Sequence, residues 1–147
     1  MLLEASGLRI ELPTGWHGQL VSRSPHLPTL QAASFALEPD DEELGPESRE
    51  GMSAGDCFLA LIEYLPGSGV VAGRVPFHEA GIELPLDPNW FSPEVGGRSV
   101  MERTFTKAGR PFCLHVVIAG SRLDRRRRLP LLDRVLGSLT VEEREAG

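Results

Sequence analysis

The sequence has few cysteines, no long apolar run and no excess of positive charge. The two cysteines form no C-x-x-C motif, and nothing in their number suggests a disulfide scaffold. No stretch approaches the roughly 18–20 apolar residues that a membrane-spanning helix needs. Lys+Arg 15 against Asp+Glu 21 gives a formal net charge of -6. This balance disfavours nucleic acid and anionic membranes as partners.

The motifs of common enzyme classes are also absent. The sequence has no G-x-S-x-G, G-x-x-x-x-G-K-[ST], G-x-G-x-x-G or H-E-x-x-H, and its histidines lack zinc-ligand spacing. Cys57 and Cys113 lie in apolar runs, where we expect buried free thiols. His115 shares a sheet face with Cys113, but no third group is evident to orient the pair, so we expect a satisfied core histidine. No catalytic residue, metal or cofactor is therefore expected.

The length and composition predict one globular domain. The 147 residues suit a single domain over residues 1–147, and 41% hydrophobic with 24% charged residues is close to the globular average. The N-terminus carries Glu4 and Arg9 among its apolar residues and does not resemble a secretory signal. We therefore expect a cytoplasmic protein.

Alternating and apolar runs predict an antiparallel sheet of about six strands. The predicted strands are residues 8–12, 17–23, 29–37, 56–65, 99–106 and 111–119. The last two form a hairpin, in which Gly109 can adopt the positive φ of a tight turn. Strands 56–65 and 111–119 are apolar on both faces, which places them in the interior of the sheet.

A C-terminal amphipathic helix follows the last strand. Leucines and valines from Leu129 to Leu139 recur at helical spacing. Pro130 fits only a first turn, so the helix should begin near Arg128 or Leu129 and end at Gly137 and Ser138. The predicted fold class is therefore α+β, with this helix packed on the sheet.

Two segments are predicted to be irregular. Residues 38–50 contain seven acidic residues, whose mutual repulsion resists burial and predicts a mobile, solvated loop. Residues 70–97 are rich in glycine and proline and predict a long connection. Trp90 and Phe91 lie inside this connection and either pin it to the core or form an exposed contact for a partner. Trp16, after the break at Pro13–Gly15, is expected in the core.

The run Arg125, Arg126, Arg127 and Arg128 is the second candidate contact surface. These arginines lie at or just before the N-terminus of the predicted helix, where the helix dipole is positive and disfavours positive charge. Packing alone therefore does not explain them. They form either a solvated patch or a contact for an acidic partner. A nucleic-acid contact is less favoured because no aromatic residues are interleaved with the run.

Three motifs together resemble the PsbP-like superfamily. These are the strand end Leu12-Pro13-Thr14-Gly15-Trp16, the hairpin Gly109-Arg110-Pro111-Phe112, and the final Leu132-x-x-Val135-Leu136-x-Ser138-Leu139-x-Val141. The superfamily includes photosystem II extrinsic proteins, a Ran-binding nuclear import factor, and bacterial DcrB-like proteins and secretion-effector chaperones. The resemblance implies an antiparallel sheet in an α/β/α sandwich and a non-catalytic role in binding another protein.

Two functional hypotheses follow. The first is a non-enzymatic, cytoplasmic interaction module of adaptor or chaperone type, which binds another protein or a second copy of itself. The alternative is a small-ligand-binding or enzymatic domain with a pocket between the sheet and the connection 70–97. A deep pocket with convergent polar groups would favour the alternative, and a shallow patch would favour the interaction module.

Overall fold

The computed structural model of the chain describes residues 1–21, 27–64 and 82–143. The strands are β1 Leu2–Ala5, β2 Leu8–Glu11, β3 His17–Val21, β4 Thr29–Ala33, β5 Cys57–Glu63, β6 Arg98–Lys107, β7 Arg110–Ala119 and β8 Thr140–Val141. The helices are α1 Pro46–Arg49, a 3-10 turn Pro88–Trp90, and α2 Arg122–Gly137. The described residues thus form a single α+β domain with antiparallel sheets.

The strands form two sheets, so the prediction of one sheet of about six strands is wrong. One sheet has five strands in the order β3-β4-β5-β7-β6, and the other has three in the order β1-β2-β8. The turn after β2 redirects the chain, with the Trp16 backbone N–H donating to the Pro13 carbonyl at 3.1 Å. The unforeseen strand β1 pairs with β2 through Ser6 and Gly7, both with positive φ.

The predicted hairpin and the two interior strands are confirmed. β6 and β7 pair along ten residues each, joined by Ala108 and Gly109 with φ of 53° and 72°. β5 pairs with β4 and β7, and β7 pairs with β5 and β6, so neither strand lies at a sheet edge. All seven residues of β5 are buried, as expected of a strand covered on both faces.

The five-stranded sheet is covered on both faces. On one face, α2 packs Leu132 and Leu136 into the main core, which also contains Trp16, as predicted. On the other face, Phe58 and its neighbours form a smaller cluster under side chains from residues 34–56. The two clusters lie on opposite faces because successive strand residues alternate in direction.

The acidic segment 38–50 is built into the second layer, contrary to the prediction that its charge keeps it out of the core. Asp41 is 1% exposed. Its carboxylate accepts backbone N–H bonds from the adjacent Glu42 and from Glu47 and Ser48 of α1. Burial would raise the pKa of Asp41, but hydrogen bonds from Ser48 and the other backbone donors lower it below its usual value. The Gln31 amide holds the segment to β4 by donating to the Glu42 carbonyl at 2.8 Å.

Helix α2 begins two turns before the predicted start near Arg128 or Leu129. The Ser121 hydroxyl accepts the Asp124 N–H at 3.2 Å, and the Asp124 carboxylate accepts the Ser121 N–H at 2.8 Å. This capping box fixes the start. Pro130 lies inside the helix at an exposed position, where its ring faces solvent. The predicted end at Gly137 and Ser138 is confirmed.

Some predicted features lie outside the described residues. These are the ends of predicted strands at residues 22–23 and 65, and the first part of the connection, residues 70–81. The described remainder, residues 82–97, is irregular except for the 3-10 turn and one bridge between Val95 and Arg98.

Candidate functional site

Trp90 and Phe91 hold the connection against the domain. Asp87 caps the 3-10 turn by accepting the Asn89 N–H at 2.8 Å. Phe91 is 7% exposed and belongs to the main core, whereas Trp90 is half-buried with the Arg103 guanidinium 4.0 Å above its ring. Of the two alternatives for these aromatics, the structure shows the one in which they pin the connection.

The four arginines of the run have different environments. Arg125 donates to the Ser99 hydroxyl at 2.8 Å and to the Ser92 carbonyl at 3.3 Å. Arg128 donates to the Gly55 carbonyl at 2.8 Å. Arg126 and Arg127 are exposed. The run is therefore not one solvated patch, because two of its members connect α2 to neighbouring segments.

A groove of about 370 Å³ lies between the 3-10 turn and the first turns of α2. Its lining residues are Pro88, Asn89, Phe91, Ser92, Pro93, Arg122, Arg125 and Arg126. The groove thus brings together three of the six predicted contact residues, Phe91, Arg125 and Arg126. Trp90, Arg127 and Arg128 do not line it.

Arg122 and Asn89 are groove residues that the sequence reasoning missed. The capping box at Ser121 places Arg122 and Arg126 one helical turn apart on the same face. That box is visible in the sequence as S-x-x-D, so it was the signal that could have identified Arg122. Nothing in the sequence distinguished Asn89 from other polar residues of the connection.

The charge of the groove is not neutralised by the described part of the chain. Exposed Arg9 and half-buried Arg103 form ion pairs with Glu4 and Glu83. No described carboxylate forms an ion pair with Arg122, Arg125 or Arg126. The groove is therefore a local positive surface on a chain of net charge -6.

A second cavity of about 370 Å³ lies beside the three-stranded sheet. Its lining residues are Glu4, Ala5, Gly7, Leu8, Arg9, Thr140 and Glu142. Its only basic side chain, Arg9, already contacts Glu4 at 3.3 Å. The groove beside α2 is the stronger candidate, because its two exposed guanidinium groups have no such counter-ion.

The cysteines are buried and unbridged, as predicted. Burial raises the pKa of Cys57 to about 12 and that of Cys113 to about 11. The thiolate is the nucleophilic form of cysteine, and these environments disfavour it. The arrangement therefore gives no chemical support to a Cys113–His115 nucleophile.

His115 is a core histidine that is satisfied on one nitrogen only. Its Nδ1 lies 2.9 Å from Glu102, the orienting group that the sequence did not reveal. Its Nε2 is buried without a hydrogen-bond partner among the described residues. Burial lowers the pKa of His115, and the positive charge of Arg49 lowers it further. The contact with Glu102 raises the pKa, but the net shift remains downward.

This lowered pKa predicts a loss of stability on mild acidification. Between the unfolded-state pKa, about 6.5, and the lower native pKa, the unfolded chain binds a proton that native His115 does not. Stability therefore falls as pH decreases through this window. Urea unfolding at pH 7.5 and pH 5.5 should show a larger loss for the wild-type protein than for His115→Gln. Equal losses in the two proteins would contradict the assignment.

Other kinds of site find no support among residues 1–21, 27–64 and 82–143. These residues contain no group of three or more His, Cys, Asp or Glu side chains placed to hold a metal ion. None of their helices has the length and apolar character needed to cross a membrane. No protein-family model, curated protein or solved structure matches this chain.

Proposed function

We propose that the protein is a non-enzymatic, cytoplasmic interaction module, of adaptor or chaperone type, that binds another protein through the groove beside α2. The observation that carries this proposal is the pair of exposed arginines, Arg122 and Arg126, which line the groove from the first two turns of α2. No described carboxylate forms an ion pair with either of them. Complementary charge on a partner would guide and orient its association there.

The walls of the groove support binding because they are held in place. Arg125 joins α2 to the opposite wall through Ser92 and to β6 through Ser99. The Leu86 N–H donates to the Asp133 carboxylate at 2.8 Å, which attaches the same wall to α2 a second time. A preorganised surface loses little conformational entropy on binding.

A PsbP-like α/β/α sandwich remains part of the proposal. The coarse arrangement is compatible with it: α2 covers one face of the five-stranded sheet, and the segment carrying α1 covers the other. The segment carrying α1 packs closely on the sheet at Gly45, because a Cβ added there would lie 2.5 Å from the Phe58 ring of β5. The separate three-stranded sheet is an addition to the predicted sandwich.

Photocrosslinking of the full-length chain in extracts of its native cells tests the function. A crosslinking amino acid at Pro93, inside the groove, should capture a discrete protein, whereas one at Arg134, exposed elsewhere on α2, should not. Capture should be lost at high salt and in the double variant Arg122→Gln/Arg126→Gln, because both weaken the same charge attraction. The variant Arg127→Gln is the matched control.

Two results would overturn the proposal. One is capture that is equal at both positions or independent of the two arginines. The other is a small anionic molecule that co-purifies with the protein and is lost from Arg122→Gln/Arg126→Gln, which would favour the ligand-binding alternative.

Both variants should fold normally, because these arginines are exposed and the substitution relieves repulsion from the helix dipole.

A further inference from the structure

We infer that the groove binds an extended acidic segment of the partner, with two carboxylates at alternating positions along that segment. This inference rests on the proposed function and names the kind of chain the groove accepts. It is carried by two features of the groove: the spacing of the uncompensated Arg122 and Arg126, and the exposed amide of Asn89.

The spacing of the arginines fits every second residue of an extended chain. Arg122 and Arg126 are four residues apart in α2, so their positions differ by about 6 Å along the helix axis. In an extended strand, side chains at i and i+2 point the same way and are separated by about 6.7 Å. Neighbouring side chains, at i and i+1, point to opposite faces, so an extended chain directs only one of them toward the arginines.

A helical partner segment could also present two carboxylates about 6 Å apart, at i and i+4. The groove of about 370 Å³ is open to solvent, so its size does not decide between a helix and an extended chain. The exposed amide of Asn89 favours the extended chain, because a helix satisfies most of its backbone N–H and C=O groups internally and offers the amide no such partner.

Asn89 supplies the group that such a chain requires. An extended backbone carries unpaired N–H and C=O groups, and one side-chain amide can bind both kinds. The Asn89 amide is exposed in the groove and has no hydrogen-bond partner among the described residues. On the same wall, Pro88 and Pro93 have no backbone N–H, and Ser92 already forms hydrogen bonds with Val100 and Arg125. The Asn89 amide is therefore the polar group on that wall that is open to a bound chain.

The charge and the aromatic side chains disfavour nucleic acid. Single-stranded nucleic acid binds through bases stacked on exposed aromatic rings. Phe91 is buried in the core, and the face of Trp90 is covered by Arg103. The chain's net charge of -6 would also repel a polyanion beyond the groove itself.

Two peptides of equal composition test the inference by NMR chemical-shift titration of the full-length protein. Both contain two glutamates and three serines between terminal glycines. In the first the glutamates alternate with serine, as Ser-Glu-Ser-Glu-Ser, and in the second they are adjacent, as Ser-Glu-Glu-Ser-Ser. The alternating peptide should bind at least several-fold more tightly, because both of its carboxylates reach a guanidinium group.

The variants identify the cause of that difference. Arg122→Gln/Arg126→Gln should weaken the alternating peptide about tenfold and remove its advantage over the adjacent one. Asn89→Ala should weaken both peptides, because it removes a contact to the main chain, which they share. Arg127→Gln, the control, should leave the alternating peptide's advantage unchanged.

Other outcomes would overturn this inference and leave the proposed function standing. These are equal affinities for the two peptides, or no binding of either while groove-dependent crosslinking persists. Tighter binding of an oligothymidylate or of inorganic phosphate at the same residues would also overturn it. Self-association of the protein at high concentration would point to a second copy as the occupant. That result requires the association to be lost both on charge reversal in segment 38–50 and on charge reversal at Arg126. Absence of both peptide binding and crosslinking would overturn the function too.

Discussion

Replacement of Arg110 by methionine is expected to lower the free energy of unfolding by about 3–5 kcal/mol. The Arg110 guanidinium donates to both carboxylate oxygens of Glu63, each at 2.8 Å, and the two side chains are 5% and 4% exposed. It also donates to the carbonyls of Ser6 and Glu142. The substitution removes the charge that neutralises a buried carboxylate, and such a loss costs several times more than an exposed ion pair contributes.

Urea unfolding with a matched control measures this effect. Arg9→Met removes an arginine that also contacts a glutamate, but at 3.3 Å with both side chains more than half exposed, and it should cost about 0–1 kcal/mol. The double variant Arg110→Met/Glu63→Leu should recover part of the loss, because it removes both buried charges. If Arg110→Met costs no more than Arg9→Met, the buried pair does not have the stabilising role assigned to it.

Truncation of Leu114 to alanine is expected to cost about 2–5 kcal/mol. Leu114 is fully buried at the centre of β7, opposite Leu61 of β5 and Arg103 of β6. The interior position leaves little freedom for the surroundings to collapse into the space that the leucine vacates, so a cavity term adds to the lost burial.

The matched control for Leu114 is a leucine in the helix. Leu123→Ala removes the same atoms from a side chain that is 53% exposed on α2 and should change stability by less than about 0.5 kcal/mol. Denaturant unfolding of both variants gives the comparison. A cost below about 1 kcal/mol for Leu114→Ala would show that β7 is less tightly enclosed than its place in the sheet implies.

The elements that the sequence predicted best are those whose signal is local. In β6 and β7, the alternating residues and Gly109 lie within one continuous stretch, and the turn geometry that Gly109 allows also sets the pairing. Strand β1 was missed because its pairing depends on Ser6 adopting a positive φ, a conformation that serine rarely takes. Membership of two sheets depends on where the chain goes after Pro13, which no local pattern specifies.

The wrong predictions for α2 and for residues 38–50 share a cause. Each follows an average property of the segment, and specific contacts outweigh that property in the structure. Pro130 disfavours a helix interior, but the capping box of Ser121 and Asp124 and the buried leucines outweigh it where the ring faces solvent. The charge of residues 38–50 disfavours burial, and of their seven acidic side chains only Asp41 is buried, because three backbone N–H groups hydrogen-bond its carboxylate.

The candidate site was predictable only in part. The arginine run marked the right region of α2, and Phe91 marked the right segment opposite it. Their meeting across a groove depends on the tertiary contacts of Arg125 with Ser92 and Ser99, which join residues far apart in the sequence. Which arginines of the run line the groove depends on their positions around α2, and these positions follow from the helix start at Arg122 and not from the predicted start near Arg128 or Leu129.

The pairing of β2 with β8 has a consequence for synthesis of the protein. The three-stranded sheet joins residues 8–9 to residues 140–141, so its last strand is made more than a hundred residues after its first. All strands of the five-stranded sheet precede β8 in the chain, so that sheet can form before the pairing of β2 with β8 closes. Until β8 pairs, β2 presents one unpaired edge, and such an edge is open to pairing with another chain.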